Sequence, residues 1–168
     1  VKSWQMKPLA IATLAGMTPD HIDIDFFDDR FDDLPFNEPT DLVAMPVETY
    51  TAKRAYNIST EFRRRNIPVV MGGIHASLDT NEVMLNADAT LVGGAEETWK
   101  EILNDAESGK LKELYSARNI NGDLPHVKPR RDLFLGKPYL SLEMVETGRG
   151  CPFTCDFCAI AGSFEGSY

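Results

Sequence analysis

The chain has 168 residues and a net charge of −9. That length holds one ordinary domain and a short piece of another. The acidic balance argues against a nucleic-acid surface, which needs a basic face, and no apolar run approaches the length that spans a bilayer.

Residues 4 to 17 carry Trp4, Leu9, Ala12, Leu14 and Ala15 and predict a mostly apolar helix. PLAIATLAGM, behind two lysines, has the outline of a signal-peptide core, but no typical cleavage site with a clear mature start follows, and a buried helix suits it better. Ile22 to Phe27 alternates apolar and acidic residues, which predicts a strand. Asp41 to Val47 (DLVAMPV) reads as a short buried strand. Tyr50 to Arg65 predicts a helix, with Ala55, Ile58 and Phe62 at spacings of three and four and Arg63-Arg64-Arg65 near its negative pole. Pro68 to Gly73 (PVVMGG) is another buried strand, followed by a small helix around 79 to 86 with Asp79 or Thr80 placed to cap it. Thr90 to Gly94 is a further strand. Ala95 to Ser108 is the clearest helix: Trp99, Ile102, Leu103 and Ala106 share one face, Glu96 and Glu97 fall in its first turn, and Gly109 stands where a glycine cap belongs.

Strands that are apolar through their middles and alternate with helices imply parallel β-α-β units, an α/β fold with a Rossmann-like doubly wound sheet and helices on both faces. Such a domain often begins on a strand. This chain opens on Val1 and a helix, so a first strand is expected to have been cut away. Residues 1–109 are expected to form this domain. Residues 110–138, punctuated by Asn121-Gly122, Pro125, Pro129, Pro138 and the basic run Lys128 to Arg131, read as a linker. Residues 139–168 open a second, truncated domain, with Tyr139 to Thr147 as a strand leading through Gly148-Arg149-Gly150 into CPFTCDFC.

Cys151, Cys155 and Cys158 are the only cysteines in the chain. Three cannot all pair, and none lies far from the others, so a disulfide framework is disfavoured and a reducing, cytoplasmic setting is expected. Thiolates are soft ligands, suited to zinc, copper(I) or iron–sulfur clusters. A closed zinc site wants four protein ligands, and His21, His75 and His126 are remote in sequence. A cubane cluster held by three cysteines leaves one iron open, which is what chemistry needs. A zinc knuckle or three incidental thiols are the alternatives.

C-x-x-x-C-x-x-C with an aromatic before the last cysteine, here Cys151, Cys155, Phe157 and Cys158, resembles the signature of the radical S-adenosylmethionine enzymes. The resemblance implies a [4Fe–4S] cluster on the three cysteines, S-adenosylmethionine on the fourth iron, Phe157 by the adenine, and a preceding strand that is the first of a partial (β/α) barrel. Upstream, the order PLAIATLAG, DLVAMPVETYTAKRAY, PVVMGGIHAS and ADATLVGGAEETW resembles the cobalamin-binding subclass of that family, across nearly the whole chain. Members of the subclass include methyltransferases acting on unactivated carbon, hopanoid-modifying enzymes and the anaerobic magnesium-protoporphyrin monomethyl ester cyclase. A doubly wound sheet binds ligands beyond the carboxyl ends of its strands. Those ends carry Asp28-Asp29-Arg30, the run Val47 to Thr51, Gly72 to Ser77 and Gly93 to Glu96. The resemblance makes Thr49, Tyr50, Thr51, Gly72, Gly73, His75, Ser77, Gly93 and Gly94 the candidate cobalamin contacts. His75 is expected on the nucleotide tail or as a capped loop residue rather than on cobalt, because the signature D-x-H-x-x-G has no match. GGAEE (93 to 97) resembles a segment that usually reads G-E-x-E, with Gly94 in place of the first acid.

The expected activity is radical methyl transfer or oxidative cyclisation at an unactivated carbon of a small molecule, with an external electron donor. The fragment alone is expected to be inactive. Two other readings stand beside it. One is a domain that has lost cobalamin binding and only packs against the barrel. The other is a phospho-receiver built on Asp28 and Asp29, which lacks an acid at the end of the next strand, Met45-Pro46-Val47.

Overall fold

The structure is a computed structural model that describes residues 5–117, 126–153 and 155–160. Trp4 and the expected Asn121-Gly122 turn lie outside the described residues. Four parallel strands, β1 (Val43–Pro46), β2 (Val69–Gly72), β3 (Ala89–Val92) and β4 (Leu114–Ser116), form one sheet in the order β1-β2-β3-β4. Val43 stands opposite Val69, Val70 opposite Ala89, and Thr90 opposite Leu114. The helices are α1 (Leu9–Met17), α2 (Ala52–Arg63), α3 (Ile74–Leu78), α4 (Thr80–Asn86) and α5 (Trp99–Glu107). The α/β architecture is the one the alternation of elements implies.

The period of two along each strand divides the core between two faces. Val69 and Met71 pack with Ala52, Ala55, Ile58 and Phe62 of α2 and Val83 of α4. The intervening Val70 turns the other way and joins Trp99, Ile102 and Leu103 of α5 and Leu14 and Met17 of α1. Burial on both faces requires strands without polar alternation, which is why the sequence shows runs of valine and leucine here. Ile102 is wholly buried, and such a side chain contributes about 1.5–3 kcal/mol by leaving water. α4 is capped by Asp79, whose carboxylate accepts from the Glu82 N–H at 3.2 Å. α5 ends on Gly109 at φ +65°, where the Lys110 N–H returns to the Asp105 carbonyl.

Four expectations need correction. First, Ile22 to Phe27 forms no ladder. Its alternation correctly sets the burial, with Ile22, Ile24 and Phe26 half-buried and Asp23 and Asp25 exposed, but alternation specifies a face and not a pairing partner. Second, Leu114–Ser116, inside the expected linker, supplies the fourth strand. Three residues with only Tyr115 buried are too short to show a period. Third, Tyr139 to Thr147 is without regular secondary structure, and among the described residues no strand pairs with it. Fourth, α5 begins at Trp99, so Glu96 and Glu97 precede the helix, and Glu101 is the acid in its first turn.

Residues 126–138 of the expected linker are fastened to the sheet domain. Residues 126–144 run across α1, where the Arg130 N–H donates to the Ala12 carbonyl at 2.8 Å and the Leu140 N–H to the Gln5 carbonyl at 3.0 Å. Gly16 makes this approach possible, since a Cβ there would overlap the carbonyl oxygen of Lys128. Phe26, Phe31, Phe134 and Tyr139 stack edge to face at centroid distances of 5.1–5.5 Å. Beside them the Tyr139 hydroxyl donates to Asp28 at 2.6 Å, and Lys137 pairs with Asp32 at 2.5 Å. Burial pushes the Asp28 carboxyl up, but hydrogen bonds from Arg30 and Tyr139 outweigh it and hold the group below its ordinary value. No helix among the described residues is long and apolar enough to cross a membrane.

Candidate functional site

The carboxyl ends of β1, β2 and β3 bring the candidate cofactor residues to one edge of the sheet. The β1 loop is stitched to the β2 loop by two backbone bonds, from the Val47 N–H to the Gly72 carbonyl at 2.7 Å and from the His75 N–H to the Val47 carbonyl at 3.1 Å. Gly73 lies between them at φ +97°, ψ −175°, a conformation essentially restricted to glycine. A Cβ at Gly73 would stand 2.9 Å from the Val47 oxygen and 3.0 Å from its nitrogen. At Gly72 the nearest atoms to a Cβ would be those of Leu91, at an ordinary 3.5–3.6 Å. The paired glycines therefore differ. The second is demanded by the turn, whereas the first is not sterically required.

Several of the candidate polar groups are already engaged within the protein. His75 is buried. Its Nδ1 lies 3.3 Å from the Thr49 hydroxyl and its Nε2 lies 3.1 Å from the Tyr56 hydroxyl. The Tyr56 hydroxyl is pushed up to about 12 by burial and by the neighbouring Glu82 carboxylate, so it stays protonated at neutral pH. Ser77 bridges two loops, its Oγ accepting from the Gly93 N–H at 3.0 Å. Gly93 itself has φ +84°. The Thr51 hydroxyl closes a turn with both the N–H and the carbonyl of Glu48. Tyr50 stands at the tip of the β1 loop, 84% exposed. Gly94 is half-buried beside this edge.

The acidic residues at Asp28 and Asp29 are neutralised by arginines. Arg30 pairs with Asp28 at 2.5 Å, and Arg54 makes a two-point contact with Asp29 at 2.6 and 2.7 Å. Two clefts of about 380 and 340 Å³ flank Phe36, one beside Arg65 and Ile67 and the other along α2 from Arg54 to Arg64, and none of the candidate cofactor residues lines either.

The cysteine loop follows Gly150, which has φ +78°. All three thiols are free, Cys155 is exposed, and Cys151 and Cys158 are half-buried. One turn is closed by the Cys158 N–H on the Cys155 carbonyl at 3.0 Å. Phe157 is 92% exposed. As donors the three thiols suit a soft metal centre. Among the described residues no three His, Cys, Asp or Glu side chains converge on one point.

Sequence reasoning missed the residues that join the two regions. The Arg149 guanidinium, two residues before Cys151, lies 2.6 Å from the Glu96 carboxylate just beyond β3, and its Nε and Nη2 make a two-point contact with Glu146 at 2.7 and 2.8 Å. The sequence marks each residue's local setting, an acid two residues beyond a glycine pair and an arginine flanked by two glycines, but not that they pair.

No family model matches the chain, and no solved structure matches it significantly. Three curated proteins resemble it. The bacteriochlorophyllide d C-8(2)-methyltransferase of Chlorobaculum tepidum is 33% identical over 174 residues, covering 95% of this chain and 38% of that protein. The bacteriochlorophyllide d C-12(1)-methyltransferase of the same organism is 30% identical, covering 90% of this chain and 34% of that protein. An uncharacterised methyltransferase of Pyrococcus horikoshii is 28% identical over 94% of this chain and 41% of its own length. The chain thus spans roughly two fifths or less of each relative, and along nearly all of its own length it is similar to methyltransferases, two of which act on bacteriochlorophyllide d.

Proposed function

We propose that this chain is the ligand-binding sheet domain and cluster loop of an enzyme that transfers a methyl group to an unactivated carbon. Cobalamin lies on the carboxyl edge of the sheet, and Cys151, Cys155 and Cys158 hold a [4Fe–4S] cluster that binds S-adenosylmethionine. When bound, these cofactors supply the one-electron and methyl-transfer chemistry, which no side chain can provide. The chain's own residues bind and orient them. Tyr50 covers the exposed side of the edge, and Gly72 lets backbone approach the ligand. His75, Thr49 and Ser77 fix the loops that form its floor. An external electron donor and a small-molecule substrate are the remaining partners.

One observation carries the reading. The only three cysteines follow directly on Arg149, whose guanidinium pairs with Glu96 at the carboxyl edge of a parallel sheet, where doubly wound folds bind ligands. The similarity to methyltransferases favours methyl transfer over cyclisation. The substrate class indicated by the two most similar of these relatives is a tetrapyrrole, and this belongs to the proposal.

A second reading has an observation in its favour. The hydroxyls of Thr51 and Ser77 and both ring nitrogens of His75 already have partners inside the protein. A domain that only packs against the rest of the enzyme would look the same there. Titration of the chain with hydroxocobalamin, followed by visible absorbance, separates the two. Saturable binding at micromolar ligand supports the cofactor site, and unshifted spectra up to high micromolar support the packing module.

A further inference from the structure

We infer that Glu96 is a positioning residue that, through Arg149, pins the cysteine loop onto the ligand edge of the sheet. The inference deepens the function proposed above and rests on it for its purpose, although the pinning itself is read from the geometry alone. The Glu96 side chain is only 5% exposed, and its Oε1 lies 2.6 Å from Arg149. Its Oε2 is also buried and has no hydrogen-bond partner. Among the described residues Arg149 is the cation that answers this buried carboxylate, and it is shared with the more exposed Glu146. A buried charge deprived of its partner is costly, so the pair resists separation. Glu96 follows Gly93-Gly94-Ala95 at the end of β3, and Arg149 precedes Gly150-Cys151. One contact thus fixes the distance between the edge and the first thiol. The flanking Gly148 stands in open space, with nothing within 4 Å of where a Cβ would stand.

The test uses the chain without any cofactor. Alkylation of each cysteine by iodoacetamide is followed by peptide mass spectrometry in the parent, Glu96→Gln, Arg149→Met and the double variant. Loss of the pair should raise the rate at half-buried Cys151 about tenfold, which corresponds to about 1.4 kcal/mol of docking free energy. Exposed Cys155 should change by less than about twofold. The double variant should match Arg149→Met rather than multiply the two effects, because both changes remove one interaction. Unchanged Cys151 reactivity in Arg149→Met, or multiplicative effects in the double variant, overturns the inference. If Glu96→Gln unfolds, all three thiols will react alike, and the Arg149→Met change at the half-buried end of the pair alone decides. Failure of the cobalamin titration leaves this result intact, so the two proposals fail separately.

Discussion

Replacing either glycine of the pair at the end of β2 by alanine should give opposite results. At Gly73 an alanine would be held near φ +97°, ψ −175°, which costs about 1–3 kcal/mol for a residue with a Cβ. The new methyl would also press on the Val47 backbone at 2.9–3.0 Å. That backbone cannot retreat without stretching its bonds to the Gly72 carbonyl and the His75 N–H, each contributing about 0.5–1.5 kcal/mol. The sum is a loss of roughly 2–6 kcal/mol, a large part of the roughly 5–15 kcal/mol that stabilises a typical domain. At Gly72 the methyl would meet Leu91 at ordinary van der Waals distance, and the change should stay within about 1 kcal/mol. Urea unfolding of both variants, monitored by Trp99 fluorescence, measures the difference. A Gly73→Ala protein with the parent's midpoint, or equal losses at both positions, would refute the reasoning.

Ser77→Ala removes the acceptor of the Gly93 N–H and should cost about 1 kcal/mol, measured by the same unfolding curves. Gly16→Ala drives a methyl into the Lys128 carbonyl, so amide exchange over residues 126–131 should speed up while that of β1 to β3 stays slow. Asp28 has a depressed folded value, so its contribution to stability is complete above the unfolded carboxylate value of about 3.9 and is lost as pH falls through the lower folded value. Hydrogen exchange around Tyr139 should therefore rise steeply as pH is lowered below about 4, after correction for intrinsic rates. Asp28→Asn should flatten that dependence. A profile identical in Asp28→Asn would show that other carboxylates carry it.

Most of the sheet domain was legible because its strands are buried on both faces and bracketed by turn residues. PVVMGG and TLVGG announce a strand and its stop, and Asp79 and Gly109 mark helix ends by capping chemistry that is local in sequence. The failures are non-local. Ile22 to Phe27 carries a strand's alternation without a ladder, Leu114–Ser116 joins the sheet with only one buried side chain, and no local pattern says that 126–144 lies across α1. At the site, Gly73 could be named from its place after a strand, but its difference from Gly72 depends on where Val47 lies. Ser77 is engaged by Gly93, a partner visible only in three dimensions, whereas Thr51 closes a local turn on Glu48, three residues earlier. The join between Arg149 and Glu96 spans 53 residues of chain (149 − 96) and follows from the folded structure, not from any motif.

The central claim is an open-cornered iron–sulfur cluster on the only three cysteines, and anaerobic reconstitution of the protein with iron and sulfide tests it most directly. The account predicts about four irons per chain, a charge-transfer absorbance that changes when S-adenosylmethionine is added, and loss of both in Cys155→Ala. Stoichiometric tetrahedral zinc in place of iron, or a cluster that survives Cys155→Ala, would contradict it.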